Sequence, residues 1–399
     1  MYAVWGFALA AAVVFGLLRH QADFLCDYDT RFWFVGGRCW LGGESPYDLE
    51  AFLAAWTSAF GDGPVFRASF VYPGAVLPVA LGLGAMSWDA ARWTMRAANV
   101  ALLVGSMLLM RRMARDRGGT VPRGRDAWAG AAALVPGVAL TLFQGQLSLF
   151  ATFGLCGAWW GLSRGKTIWF AAGLYLASIK PQLTALPIVF LLVLHGSVRT
   201  WIVAGLVAAS HALVTLWSGP SRLFTELRGS LAEHAAQEFN RPDNYDSLVA
   251  HLPGLAASHG LQRAGLILGI ALAVAMGMRA RVRPPALPHV EERWMQLALV
   301  ATGVFMPIHR YDLAIHVPLV ASLWALVGRT RAAVMFVLVL LHGGASTVCW
   351  HIEARTGIAC DYHLGAAVLA VFELVLLGVF WHRDSVRRSA GMLPAGADR

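Results

Sequence analysis

Lysine is nearly absent from this chain: Lys166 and Lys180 are the two present, and arginine supplies the rest of its 32 basic residues. Lys166 keeps company with Arg164, but Lys180 stands alone in Ile179-Lys180-Pro181-Gln182 between apolar runs. A compact ammonium in that setting suits a phosphate. Snorkelling of its stem toward lipid headgroups is the other reading. Acids gather near the start, where Asp23, Asp27 and Asp29 precede Arg31, Arg38 and Gly42-Gly43-Glu44-Ser45-Pro46-Tyr47-Asp48. A partly dried carboxylate at the lip of a lipid-facing cavity is a suitable general base for a hydroxyl. In a solvated loop the same acids are ordinary surface charge.

Gln144-Gly145-Gln146 interrupts an apolar stretch, and its amides suit sugar hydroxyls or the closing of a helix hairpin. His309-Arg310-Tyr311-Asp312 combines groups that hold a phosphate leaving group or form an ion pair ordering a turn. Arg241 to Ser247 is polar enough for an acceptor or for plain solvation. Cys349-x-His351 and Cys360-x-x-His363 have metal-like spacing, but without a second motif a disulfide or plain loop residues fit better than zinc. Glu373, inside an apolar run, reads either as a polar residue facing the bundle or as part of the site.

These residues must be positioned in a bilayer. Of 399 residues 57% are hydrophobic and 14% charged, far below the quarter of charged residues typical of soluble domains. Apolar runs recur from Tyr2 to about position 382 with no soluble domain between them, which predicts one integral membrane domain over 1–399. Tyr2 to Leu18 lacks a basic leader and a small-residue cleavage site, so a retained helix is expected. The net charge of +9 does not indicate nucleic acid, because the arginines occupy short loops between spans. Arg111–Arg125, Arg164–Lys166, Arg279–Arg293, Arg329–Arg331 and Arg383–Arg388 therefore mark the cytoplasmic side, with a tail over 383–399. Outer loops are then expected at about 19–70 and 218–262, and the polar motifs face outward.

Counting spans leaves one apolar segment too many before Arg111. The segment of about 66–86, with Pro73 and Pro78, is read as a broken or re-entrant element for that reason. Leu49 to Phe60, after the Ser45-Pro46-Tyr47-Asp48 turn, reads as an amphipathic interfacial helix. Segments 167–179 and 181–195 are short, and the Lys-Pro pair divides them, as in helices that end at a substrate site. No Walker loop and no GxGxxG after a strand occurs, so an activated donor would come from the membrane.

Several of these motifs, in this order, resemble glycosyltransferase family 87, whose polytopic members belong to the C-type superfamily. They are Asp29 with Trp33-Phe34, Gly36-Gly37-Arg38 and Tyr47-Asp48; Phe70-Val71-Tyr72-Pro73; Gly145-Gln146; Lys180-Pro181-Gln182; and Tyr311-Asp312-Leu313. Thr30 after Asp29, and Gly74 after Pro73, depart from the family pattern. The resemblance implies an all-α polytopic transmembrane bundle of about 12 helices, with a large first extracytoplasmic loop carrying an interfacial helix. It implies an inverting transfer of a hexose, mannose above all, from a polyprenyl-phosphate sugar to a lipid or glycan acceptor. The setting is the bacterial inner membrane, with the site facing the periplasm or exterior.

By the same resemblance Asp29 is the catalytic base, and Lys180, Arg310 and His309 contact the donor phosphate. Asp27, Tyr47, Gln144, Gln146, Gln182, Asn244, Tyr311 and Asp312 contact sugar or acceptor. No cofactor and no metal is expected, since a monophosphate leaving group facing such cations does not require one. The partners are the lipid donor, the acceptor and membrane lipids, and not nucleic acid. The competing reading, a transporter or flippase for a lipid-linked or anionic substrate, leaves the large first loop and its acid unexplained.

Overall fold

The computed structural model describes residues 26–61, 69–116, 132–217, 223–237, 245, 259–282, 290–306, 308–318, 320, 334–342, 356, 368–373, 375–377 and 379. The expected first helix (Tyr2 to Leu18), Asn244, the residues Cys349, His351, Cys360 and His363, and the Arg383–Arg388 cluster lie outside the described residues. Within them every regular element is helical. The order is α1 (Tyr28–Leu41), α2 (Leu49–Phe60), a 3-10 turn Gly74–Val76, α3 (Leu77–Gly84), α4 (Trp88–Asp116), α5 (Pro136–Gln144) and α6 (Ser148–Ser163). There follow α7 (Thr167–Ala177), α8 (Pro181–Leu194), α9 (Val198–Trp217), α10 (Leu223–Ala236), α11 (His259–Val282), α12 (Val290–Phe305) and a 3-10 turn Arg310–His316. Further helical segments cover 334–342 and 368–373.

Among the described residues three helices contain stretches long and apolar enough to cross a membrane: Trp88–Met113, Val198–Leu216 and Ala264–Val282. Their outward surface is hydrocarbon. On α9, Ile202 is 58%, Leu206 65% and Leu213 66% exposed, a surface that water disfavours and lipid accepts. The apolar helices and their exposed faces make this an α-helical membrane protein. Helix α3 has 8 residues and follows a 3-residue turn. At ~1.5–2 Å per residue they reach about 18 Å, short of the ~30 Å hydrocarbon core. Helix α4 follows directly.

The acid-bearing segment expected as loop is instead helix α1. Its own residues argue weakly for a helix, because Gly36-Gly37, Thr30, Val35 and the aromatics all have modest propensity. Tertiary contact decides. Gly37 lies so close to α3 that a Cβ there would fall 1.9 Å from the Ala80 carbonyl oxygen, and a Cβ on Gly84 would meet Gly37 at 2.6 Å. Two glycines thus let the backbones touch, the usual device where helices pack without a hydrophobic driving force. Trp33, Phe34 and Val35 are buried on the same helix.

Helix α2 covers Leu49–Phe60, the residues expected to form a helix after the Ser45-Pro46-Tyr47-Asp48 turn. Asp48 caps it, accepting from the Ala51 N–H at 3.0 Å, and it buries Phe52 and Trp56 while its opposite face stays open. An aromatic cluster of Tyr28, Phe32, Phe52, Trp56 and Phe60 binds α2 to α1. Part of the expected 218–262 loop is also helical: α10 docks on the first polar segment. Ser230 donates to the Phe70 carbonyl at 2.7 Å and accepts from Ser69 at 2.8 Å, while Ser45 donates to Glu226 at 2.7 Å.

Candidate active site

Four helix ends converge. Asp29 occupies the first turn of α1, a position the helix dipole favours for an acid. Gly145 closes α5 in the left-handed region at φ 70, and a Cβ there would lie 1.8 Å from Thr30 Oγ1. Both facts demand glycine, and together they deliver the next residue, Gln146, to Asp29. Lys180 is the N-cap of α8, with Pro181 at the first helical position, where its missing N–H costs nothing. Asp312 sits in the 3-10 turn after α12 and accepts from the His309 N–H at 3.2 Å.

The side chains form one network. Lys180 Nζ donates to Asp312 Oδ1 at 2.6 Å, to Gln146 Oε1 at 3.0 Å and to Ser148 Oγ at 3.0 Å. Ser148 donates in turn to Asp312 Oδ1 at 2.9 Å. Gln146 Nε2 makes a short hydrogen bond to Asp29 Oδ2, and Tyr72 OH donates to Asp29 Oδ1 at 3.1 Å. The orientation of the Gln146 amide follows from its partners: an ammonium only donates and a carboxylate only accepts, so oxygen faces Lys180 and nitrogen faces Asp29. Trp33 lies 3.7 Å, centroid to centroid, from the Tyr72 ring, and Tyr47 OH donates to the Tyr72 carbonyl at 2.8 Å. Tyr72 is therefore held from both sides.

Exposure separates the acids. Asp27 is 2% and Asp312 1% exposed, while Asp29 is only part-buried. Helix α1 is outside the long apolar spans. Burial raises the Asp29 carboxyl from its usual range to about 6, against Lys180, Tyr72 and Gln146, which pull it back, and with Asp312 pushing the same way as burial. Such a group is ionised at neutral pH yet basic enough to take a proton. Tyr72 is held well above its ordinary value by burial and by Asp29, so it remains a donor.

Asp27, two residues before Asp29, is engaged elsewhere. Its carboxylate is bidentate with Arg96 of α4, at 2.9 Å from Nε and 2.7 Å from Nη2, and Cys26 donates to it. Its backbone takes a left-handed conformation at φ 56, and its N–H donates to Phe143 at 2.9 Å. Asp27 thereby pins the start of α1 to α4 and α5 rather than facing the network. Lys180, expected at the donor phosphate, donates to Gln146, Ser148 and Asp312 in this network.

The other expected residues lie around this network. The His309 ring stacks with Tyr245 at 4.7 Å between centroids. His234 of α10 is near them; burial lowers its imidazole to about 4, and His309 adds to that. Burial likewise raises the Tyr245 phenol to about 12. Arg310 and Tyr311 contribute backbone to the 3-10 turn, and their side chains lie outside what is described. Gln144 ends α5 with its carboxamide oxygen buried and unbonded among the described residues. Gln182 is half-buried in the first turn of α8. Tyr47 supports Tyr72 instead of lining the network.

Ser148, Arg96 and His234 were not anticipated. Ser148 had one legible signal, a hydroxyl two residues past Gln146 at the start of an apolar helix. Arg96 reads as one more basic residue of a span, and nothing local ties it to Asp27. Compared with known proteins, the chain matches the family model described as glycosyltransferase family 87 over residues 70–309. No curated protein matches. The matched region contains Tyr72, Gln146, Ser148, Lys180 and His309. Asp29 and Asp312 lie outside it and join those residues through geometry.

Proposed function

The chain belongs to glycosyltransferase family 87, and we propose that it is an inverting hexosyltransferase that moves mannose from a polyprenyl-phosphate sugar to a hydroxyl of a lipid or glycan acceptor. Asp29 is the base. The acceptor O–H gives its proton to the Asp29 carboxylate as the oxygen attacks the anomeric carbon. The bond from that carbon to the phosphate oxygen breaks, and its electron pair leaves with the phosphate. Attack opposite the leaving group inverts the carbon. The observation that carries this reading is the exposure contrast: of the three buried-site acids, Asp29 keeps open surface while its two oxygens are fixed by Tyr72 and Gln146.

Lys180 works at one remove. Its protons orient Gln146, Ser148 and Asp312, and its charge still favours the phosphate charge that develops in a water-poor site. The phosphate is assigned to the His309–Arg310 end of the 3-10 turn, with Asn244, Gln144, Gln182, Tyr311 and Asp312 toward sugar and acceptor. The site opens to the periplasmic or exterior side, capped by α1, α2 and α10, in a C-type bundle of about 12 helices. The test is transfer from polyprenyl-phosphate mannose to candidate acceptors by the purified chain. Transfer that survives Asp29→Asn unchanged would sink the assigned base.

A further inference from the structure

The turn that carries Asp312 ends at His316, and His316 belongs to a second polar group. His316 and Glu373 are 0% exposed and His342 1%, and their ligand atoms all lie within 4.8 Å of one another. They come from three separate elements, the Arg310–His316 turn and the helical segments 334–342 and 368–373. The four ring nitrogens and both carboxylate oxygens are buried without a hydrogen-bond partner among the described residues. The Leu299 backbone is close to the His316 ring without making a well-aligned bond. Six such atoms in one place are unusual, because buried polar groups are almost always paired.

A proton does not resolve the group. Protonating His342 would pair it with Glu373 but would leave the second imidazole unmatched. One cation accepting a lone pair from each side chain gives every one of the three residues a partner, three of the six atoms at once. The spacing fits this. Metal-to-ligand bonds of ~2.0–2.1 Å in a tetrahedron place neighbouring ligand atoms about 3.4 Å apart, and His342 Nδ1 lies 3.4 Å from Glu373 Oε1. The His316 and His342 rings are 5.7 Å apart between centroids, tilted at 58° rather than stacked. Two imidazoles and one carboxylate are a donor set for borderline divalent ions and too nitrogen-rich for calcium or magnesium.

We propose that His316, His342 and Glu373 bind one divalent transition-metal ion of the zinc type. The ion ties the Asp312-bearing turn to the two later helical segments, and so it holds Asp312, and through it Lys180, in place. It takes no part in the transfer itself, and it is distinct from the Cys349–His363 loop whose spacing first suggested metal.

The experiment uses the full chain in detergent with any affinity tag removed. The protein is stripped with a chelator, titrated with Co²⁺ and challenged with Zn²⁺; elemental analysis follows gel filtration. The expected result is a visible Co²⁺ absorption that saturates at one ion per chain and is lost when Zn²⁺ displaces it. Glu373→Gln and His342→Asn should each weaken retention by more than about tenfold. No absorption and no retained metal in the wild-type chain overturns the proposal, and that arm does not depend on whether a variant folds. Metal retained equally by wild type and folded variants also overturns it, since the ion then sits elsewhere.

Discussion

Asp27 and Asp29 stand two residues apart at the start of one helix, and the fold puts them to opposite uses. Asp27 is sealed against Arg96, a bidentate pair in which both partners are 3% exposed at the side chain. Both of its oxygens accept from a guanidinium that cannot lose its proton. Asp29 is held by neutral donors, Tyr72 and Gln146, with the nearest cation one amide away. A carboxylate fastened by a fixed cation is a structural strut. One fastened by neutral hydrogen bonds keeps enough basicity to exchange a proton. The neighbours, and not the residue type, separate anchor from base.

That contrast breaks first at Asp29. Asn at position 29 keeps the shape and removes the basicity, so sugar transfer should fall by about 10²–10⁴-fold while thermal unfolding followed by tryptophan fluorescence stays near wild type. Equal losses of activity and stability would make Asp29 a second strut. Arg96→Met tests the other half: it strands the Asp27 charge in the bundle and should cost about 3–5 kcal/mol of stability, read in the same unfolding assay. If Arg96→Met left stability untouched and abolished transfer, the roles assigned to the two acids would be reversed.

Smaller effects sharpen the picture. Gln146→Leu leaves a Lys180 proton and an Asp29 lone pair unmet, and transfer should drop about tenfold. The pH profile gives a further check, since Asp29 must be ionised to work. Its carboxyl is raised to about 6, so the rate should climb with pH, level off above that value and fall tenfold per unit below it. A limb near 4 would mean an unperturbed acid. Tyr72→Phe removes a hydrogen bond to the charged form, so the limb should move to higher pH, with a loss at neutral pH of only a few-fold, about 1 kcal/mol.

Much was legible in the chain before any fold. Composition alone demanded a bilayer, because 14% charged residues cannot cover a soluble surface. The Ser45-Pro46-Tyr47-Asp48 turn located the helix Leu49–Phe60, and the Lys180-Pro181 pair located the break between α7 and α8. Isolation among apolar neighbours singled out Lys180 and Gln146, since a polar residue placed there must have partners. Partners are what one-dimensional order does not contain. Arg96 meets Asp27 across 69 residues, and Asp312 meets Lys180 across 132. Helix α1 exists because glycines 47 positions apart, Gly37 and Gly84, let two backbones touch. The residue types thus determined which side chains needed company. Only tertiary structure decided which company each one had, because the strength of a buried charge depends on the few ångströms around it and not on its place along the chain.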